Sequence, residues 1–309
     1  MAFQSAAIVG ATGATGIHLA AALRAANKNV RVVGRSAERL AKAFPDAAIE
    51  KAVADALDPA ALLAAIGRPD VVFDCIGLPG DHMADHPRTA RNVADAVTKL
   101  GAECVHVSSY WAYSPLQGPV VSEDHPRLAG SPWMRYRREA EDILLEAGAA
   151  VLHVPDFYGS HVGFSVINEA LSGAARGKPM NWFGPAGNPR EHIYVSDAMR
   201  IAVAVASQDS AYGRHWALPG AGPITAKRIA AIAEAHLGRR VKVRAAGLGL
   251  LRVISLFNND LRGFMQMVPE YLKPVSYDAT RLEGLIGKPT LTSYETGIPA
   301  TLDWLMTRR

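Results

Sequence analysis

Gly10, Gly13 and Gly16 stand three residues apart, between the apolar run Ala7-Ile8-Val9 and an alanine-rich segment, Ile17 to Ala26. Strand, tight turn and helix in that order make a phosphate-binding device. Gly10 suits a turn with positive φ, Gly13 lets the backbone approach a pyrophosphate, and Gly16 lets the helix pack against the strand. The free N–H groups of the first helical turn, beginning at Ala14 and Thr15 after Thr12, then face the phosphates. The reading depends on the glycines lying between a strand and a helix, because a glycine-rich turn without a ligand has the same composition.

A second position bears on cofactor type. The strand Asn29 to Val33 ends at Gly34-Arg35-Ser36, with Arg39 one helical turn on. A carboxylate at that strand end would hydrogen-bond ribose hydroxyls and favour NAD. A guanidinium suits a 2′-phosphate, so NADP (NADPH) is expected and NAD is the lesser alternative. A solvated loop arginine is the competing explanation.

The elements that must position these groups alternate along the chain. Strands are expected at Asp46 to Val53, Val71 to Gly77, Glu103 to Val107 and Ala150 to Val154, with a last strand from His215. Helices fall between them at Pro59 to Ile66, with Asp58 as N-cap, and at Asp85 to Leu100, stopped by Gly101; a later helix is capped by Thr225 and stopped by Gly238. Alternation of this kind predicts an α/β fold, a doubly wound parallel Rossmann sheet. Ligands of such sheets sit at the strand ends. Residues 1–155, completed by about 190–220, would form the nucleotide-binding domain, and 156–189 with 221–309 a small C-terminal substrate-binding cap.

The chain has 309 residues, is 49% hydrophobic and carries a net charge of +4 without a basic cluster, which gives no reason to expect nucleic acid as a partner. No apolar run is long enough to span a bilayer, and the first residues lack the basic region of a signal peptide, so a cytoplasmic protein is expected. Cys75 and Cys104 are separated in the manner of buried thiols, and no metal site is expected. The apolar stretch Gly247 to Phe257 is read as core or lid; a dimer face is an alternative and a homodimer is left open. One arginine is too little charge for a helix lying on a membrane.

GATGATG resembles the nucleotide loop of extended and atypical short-chain dehydrogenases/reductases, the NAD-dependent epimerase/dehydratase-like group, and the resemblance extends over nearly the whole chain. It implies that Asp55, with Ala56, meets the adenine, and that Cys75, Ile76, Gly77, Ser108 and Pro155 border the cofactor. Val107-Ser108-Ser109-Tyr110-Trp111-Ala112-Tyr113 is similar to the family's strand-end segment, which implies Ser109 as the residue touching the substrate oxygen. Trp133-Met134-Arg135-Tyr136-Arg137-Arg138-Glu139-Ala140-Glu141 occupies the catalytic helix, and here the pattern breaks. The family's tyrosine falls on Trp133 and its lysine on Arg137. An indole cannot supply a phenolic proton, although Arg137 can still hold a ribose hydroxyl.

Pro155-Asp156-Phe157-Tyr158-Gly159 and Arg190-Glu191-His192-Ile193-Tyr194-Val195-Ser196-Asp197 also resemble family segments, with Ser196 or Asp197 expected to cap the next helix. Together these readings imply an NADP-dependent oxidoreductase acting on a small, fairly hydrophobic molecule. Tyr113 or Tyr158 would be the proton donor, with Tyr110, Trp111, His161 and Phe164 lining the pocket. A catalytically degenerate dinucleotide sensor and a nucleotide-sugar epimerase or dehydratase are the alternatives.

Overall fold

A computed structural model describes residues 3–163, 165–255 and 263–308. At its centre is a seven-stranded, all-parallel sheet. Its first five strands in chain order are β1 (Ser5–Val9), β2 (Asn29–Gly34), β3 (Glu50–Val53), β4 (Val71–Asp74) and β5 (Glu103–Ser109). Two later strands, Ala150–Val154 and His215–Ala217, complete it. The spatial order is His215–Ala217, Ala150–Val154, β5, β4, β1, β2, β3, so the winding reverses at β1. The strands facing both layers are nearly continuous apolar runs, as a sheet covered on both faces requires.

Helices α1 (Ala14–Ala25) and α2 (Ala37–Ala43), with Val195–Ala206, cover one face through Leu19, Leu23, Leu40 and Met199. Helices α3 (Pro59–Ile66), α4 (His86–Leu100) and α5 (Pro132–Glu146) cover the other through Leu62, Val93, Val97 and Leu144. The expected helix signals act as read. Asp58 accepts from the N–H groups of Ala60 and Ala61, Thr225 from that of Arg228, and Gly101 and Gly238 end their helices in the left-handed conformation.

A separate core underlies the cap, built from Val166–Ala175, Ala226–Leu237, Val268–Tyr271 and Tyr294–Met306 and from the paired strands Met180–Phe183 and Val243–Ala246. Three expectations are corrected. Asp197 does not cap the helix Val195–Ala206: it lies inside the first turn, accepting from the N–H and hydroxyl of Thr292 and from Arg200. Ser196 is not its cap either, and its hydroxyl meets Nδ1 of His18. The segment from Ala279 to Leu291 belongs to the sheet domain, with Leu282 buried in its core. Leu248–Ser255 is helical, while Phe257 lies outside the described residues. No helix among the described residues is long and apolar enough to cross a membrane.

Candidate functional site

The turn after β1 is shaped for close approach at one point and sealed at two others. Gly10 has φ +77°, and a Cβ there would lie 2.8 Å from the Cys75 carbonyl oxygen. At Gly16 a Cβ would lie 2.5 Å from Ala11 Cα and 2.6 Å from its carbonyl carbon. At Gly13 it would meet only the Gly10 carbonyl, at 3.5 Å, and at Gly77 nothing within 4 Å. The cradle is therefore closed behind and open in front. Gly13 is the N-cap of α1 with no side chain closing it, and the first helical hydrogen bond runs from Ile17 N–H to Gly13. The N–H groups of Ala14, Thr15 and Gly16 precede that bond and form an anion-binding end. The Cys75 thiol behind the cradle is buried, and burial pushes its pKa up.

At the end of β2, Arg35 and Arg39 are exposed, while the Ser36 hydroxyl accepts from Arg39 N–H and caps α2. Asp55 is exposed at the end of β3, its carboxylate accepting from Leu57 N–H, and the Ala56 carbonyl accepts from Asn92. Cys75 and Ile76 are buried where the chain leaves β4, and Pro155 directly follows the strand Ala150–Val154.

Ser109 ends β5 half-buried, its hydroxyl oxygen taking the Trp111 N–H at 3.4 Å. Its neighbour Ser108 does not border the cleft. By strand alternation it faces α5, where its hydroxyl donates to the fully buried Glu141. Glu141 also takes the Arg127 guanidinium, and at 3.1 Å Nε2–H of His153. Nδ1 of His153 in turn pairs with the Tyr113 hydroxyl at 2.7 Å. Burial opposes ionisation of Glu141, but His153, Arg127 and Ser108 outweigh it and hold the carboxyl below its usual range. His215 stacks on His153 with centroids 5.0 Å apart, and burial pushes its pKa down to about 4. Glu141, His153 and His215 bring three potential metal-ligand atoms within 4.8 Å of one another; the cation that Glu141 meets in this structure is Arg127.

Neither expected proton donor faces the cleft. Tyr113 is fully buried in the network just described, because the turn Tyr110–Tyr113 directs its ring to the α5 side of the sheet. Tyr158 is fully buried in the cap core between Tyr194 and Tyr294; its hydroxyl lies against Gly297 and has no hydrogen-bond partner among the described residues. Burial raises both phenol pKa values. Tyr158→Phe should therefore leave folding free energy within about 1 kcal/mol of the parent, or raise it, since an unsatisfied buried hydroxyl is removed. A denaturation midpoint lowered by more than that would show a partner for the phenol.

The expected ring of pocket side chains is likewise dispersed. Tyr110 is buried, donating to Asp156 and accepting from Arg190. The exposed His161 packs against His18 and Trp304. Phe164 lies outside the described residues. Trp111 stays near the strand ends, 5.9 Å from the Arg137 guanidinium.

Arg137 and Trp133, one turn apart on α5, do face this region. The Arg137 Nε is buried without a partner, and burial lowers its pKa against the opposing charges of Glu141 and Asp74. Beneath it, Asp74 bonds Nδ1 of His106 at 2.8 Å and takes the Ile76 N–H. His86 at the start of α4 is buried, with its Nε2 unpartnered, and burial together with the nearby Arg137 charge pushes its pKa down to about 2. The Trp133 indole fills a slot between two glycines; a Cβ on Gly80 would lie 2.7 Å from it, and one on Gly263 2.5 Å.

Sequence reasoning missed Glu141, His86 and the Asp156–Arg190 pair. Glu141 carried a usable signal: it lies seven residues after Met134 and three before Leu144, on the apolar stripe of α5.

The family model of the NAD dependent epimerase/dehydratase family matches residues 6–218, which include the cradle, β5 and α5. The chain belongs to that family. The 3-diazoavenalumate denitrifying reductase of a Streptomyces species is 31% identical over 225 residues, covering 66% of this chain and 72% of that protein. Solved structures share the fold from end to end. UDP-glucuronic acid 4-epimerase from Bacillus cereus, in complex with NAD, superposes with a TM-score of 0.79 at 18% identity, covering 99% of each chain. The dTDP-glucose 4,6-dehydratase of Bacillus anthracis, also with NAD, has a TM-score of 0.80 at 14% identity over 99% of this chain and 97% of that one. At such identities the likeness fixes the fold. The indole of Trp133 and the guanidinium of Arg137 stand on α5 at the places where the resemblance implied a phenol and an amine.

Proposed function

We propose that the protein is a cytoplasmic NAD(P)-dependent reductase of a small, largely apolar molecule. The observation that carries this reading is the cradle: an uncapped helix N-terminus, with open space at Gly13 and Gly77, at the point where the sheet reverses its winding. The residues fit a dinucleotide. Gly10 to Gly16 would hold the pyrophosphate, Asp55 and Ala56 the adenine, and Arg137 the ribose next to the nicotinamide. When bound, the cofactor supplies hydride-transfer chemistry. The relative that is 31% identical is by its name a reductase, which favours this reaction class. Nucleotide-sugar chemistry is less suited to the cap. Arg190, which would be the natural grip on a diphosphate, is 1% exposed and bonded to the carbonyls of Glu270 and Lys273, to Tyr110 and to Asp156.

The exposed Arg35 supports a preference for NADP over NAD. A charged contact to a 2′-phosphate contributes roughly 1.5–3 kcal/mol, so Arg35→Ala should cut the NADPH/NADH affinity ratio by about 10- to 100-fold. Fluorescence titration with each cofactor checks this, and an unchanged ratio would return Arg35 to the solvent. The function itself is tested by following nicotinamide absorbance across a panel of carbonyl, quinone and alkene acceptors. Tight cofactor binding with no acceptor ever consumed would favour a sensor.

A further inference from the structure

The groups at the ends of β5 and α5 have one property in common: they donate hydrogen bonds but do not release protons. The Arg137 Nε–H and the Trp111 indole N–H are buried and have no acceptor among the described residues. Ser109 accepts the Trp111 backbone N–H, which leaves its own hydroxyl proton free. The phenols that could act as acids are committed elsewhere: Tyr110 to Asp156, Tyr113 to His153, and Tyr158 against Gly297. Tyr136 is offset by about 100° around α5 from Arg137. His86 is neutral, so it carries no extra proton to give. Unsatisfied buried donors are costly, and two of them side by side, the Arg137 guanidinium 5.9 Å from the Trp111 ring and Ser109 at the Trp111 backbone, point to an acceptor atom supplied by a ligand.

We infer, resting on the reductase reading above, that Arg137, Trp111 and Ser109 bind an oxyanion, and that the substrate is a conjugated acceptor whose reduced form leaves as a phenolate or enolate. The chemistry follows from the missing acid. A hydride added to a simple ketone leaves an alkoxide, which is too basic to depart without a proton from the protein. A quinone-type acceptor instead takes the hydride, two electrons and a hydrogen, at its electrophilic atom. The displaced π pair then moves through the ring onto oxygen. A phenol has a pKa near 10, so this anion persists while donors hold it, and water protonates it after release. The guanidinium has five N–H groups, enough for both a ribose hydroxyl and this oxygen. The flat indole of Trp133, wedged between Gly80 and Gly263, supplies an aromatic wall.

The binding half is tested without turnover. The NADP-loaded protein is titrated with 4-nitrophenol about one pH unit below that probe's own pKa. The phenolate band should appear on binding, the bound probe's pKa falling at least tenfold in acidity constant. Arg137→Gln should abolish the band and Arg137→Lys should restore part of it. A merely structural arginine would alter thermal stability without changing the ionisation of the probe. Binding of the neutral phenol, no binding, or a band that survives Arg137→Gln would overturn the anion site.

The substrate half compares a naphthoquinone with a cycloalkanone in the presence of NADPH. Consumption with the quinone alone is expected, with a rate flat between about pH 6 and 9 because no acid titrates there. Equal consumption with the ketone would overturn the substrate class and leave the reductase standing. Consumption with neither would overturn the reductase reading and the substrate class together.

Discussion

Glu141→Ala should lower the folding free energy by about 3–5 kcal/mol, the cost of breaking a buried ion pair by removing one partner. The carboxylate is fully buried and ties three elements together: Ser108 of β5, His153 of the next strand in the sheet and Arg127 of the loop before α5. Without it, Arg127 keeps Asp142 and His153 keeps Tyr113, but the Ser108 hydroxyl and Nε2 of His153 lose their acceptor. The effect has a pH signature. The folded-state pKa of Glu141 lies below its unfolded value of about 4.3, so its contribution is fully present above that pH and is lost as the pH falls through the folded value. Parent and variant should therefore differ most at neutral pH and converge only in acid. Urea denaturation at pH 7 and pH 3.5 measures both points. A difference under 1 kcal/mol at pH 7, or one that widens in acid, would refute the assignment.

Two glycines of the same loop should respond in opposite ways to the same methyl group. Gly16→Ala places a Cβ 2.5–2.6 Å from backbone atoms of Ala11, where no side chain can yield. Helix α1 must retreat from β1, at a cost of roughly 1–3 kcal/mol and the loss of the helix end as a phosphate site. Gly13→Ala meets only ordinary contact at 3.5 Å, so stability should hardly change. Its methyl group occupies the space left for the pyrophosphate, and cofactor affinity should drop at least tenfold. Thermal unfolding together with NADPH titration separates the two outcomes. Gly13→Ala binding as tightly as the parent would remove the cradle from the functional account.

What the sequence made legible were features set within a few residues. The loop Gly10 to Gly16, the alternation of elements and the caps at Asp58, Thr225 and Gly101 follow from local geometry, and the structure contains each of them. The direction of a side chain that leaves a strand end is not local. Tyr113 was expected in the cleft beside Ser109, but the short turn after β5 carries its ring past the sheet to His153, forty residues on. Tyr158 similarly depends on Gly297, a residue of the last helix. Asp197 had the look of a cap, yet its partner Thr292 is remote in sequence. Trp133 and Arg137 were assigned to α5 by the resemblance, at the places of the family's tyrosine and lysine. That the Arg137 Nε would be left without a partner and the Trp133 ring seated between two glycines required the whole fold.

The slot that seats Trp133 has a consequence for remodelling the cleft. Its two sides, Gly80 and Gly263, come from opposite domains and touch the same indole edge, so the wall thickness is set by the absence of two methyl groups. The nearest atoms a new Cβ at either position would press against are all of this ring. On the reductase reading, a single small substitution at Gly80 or Gly263 is expected to change acceptor range through this wall, leaving the cradle and Arg137 as they are.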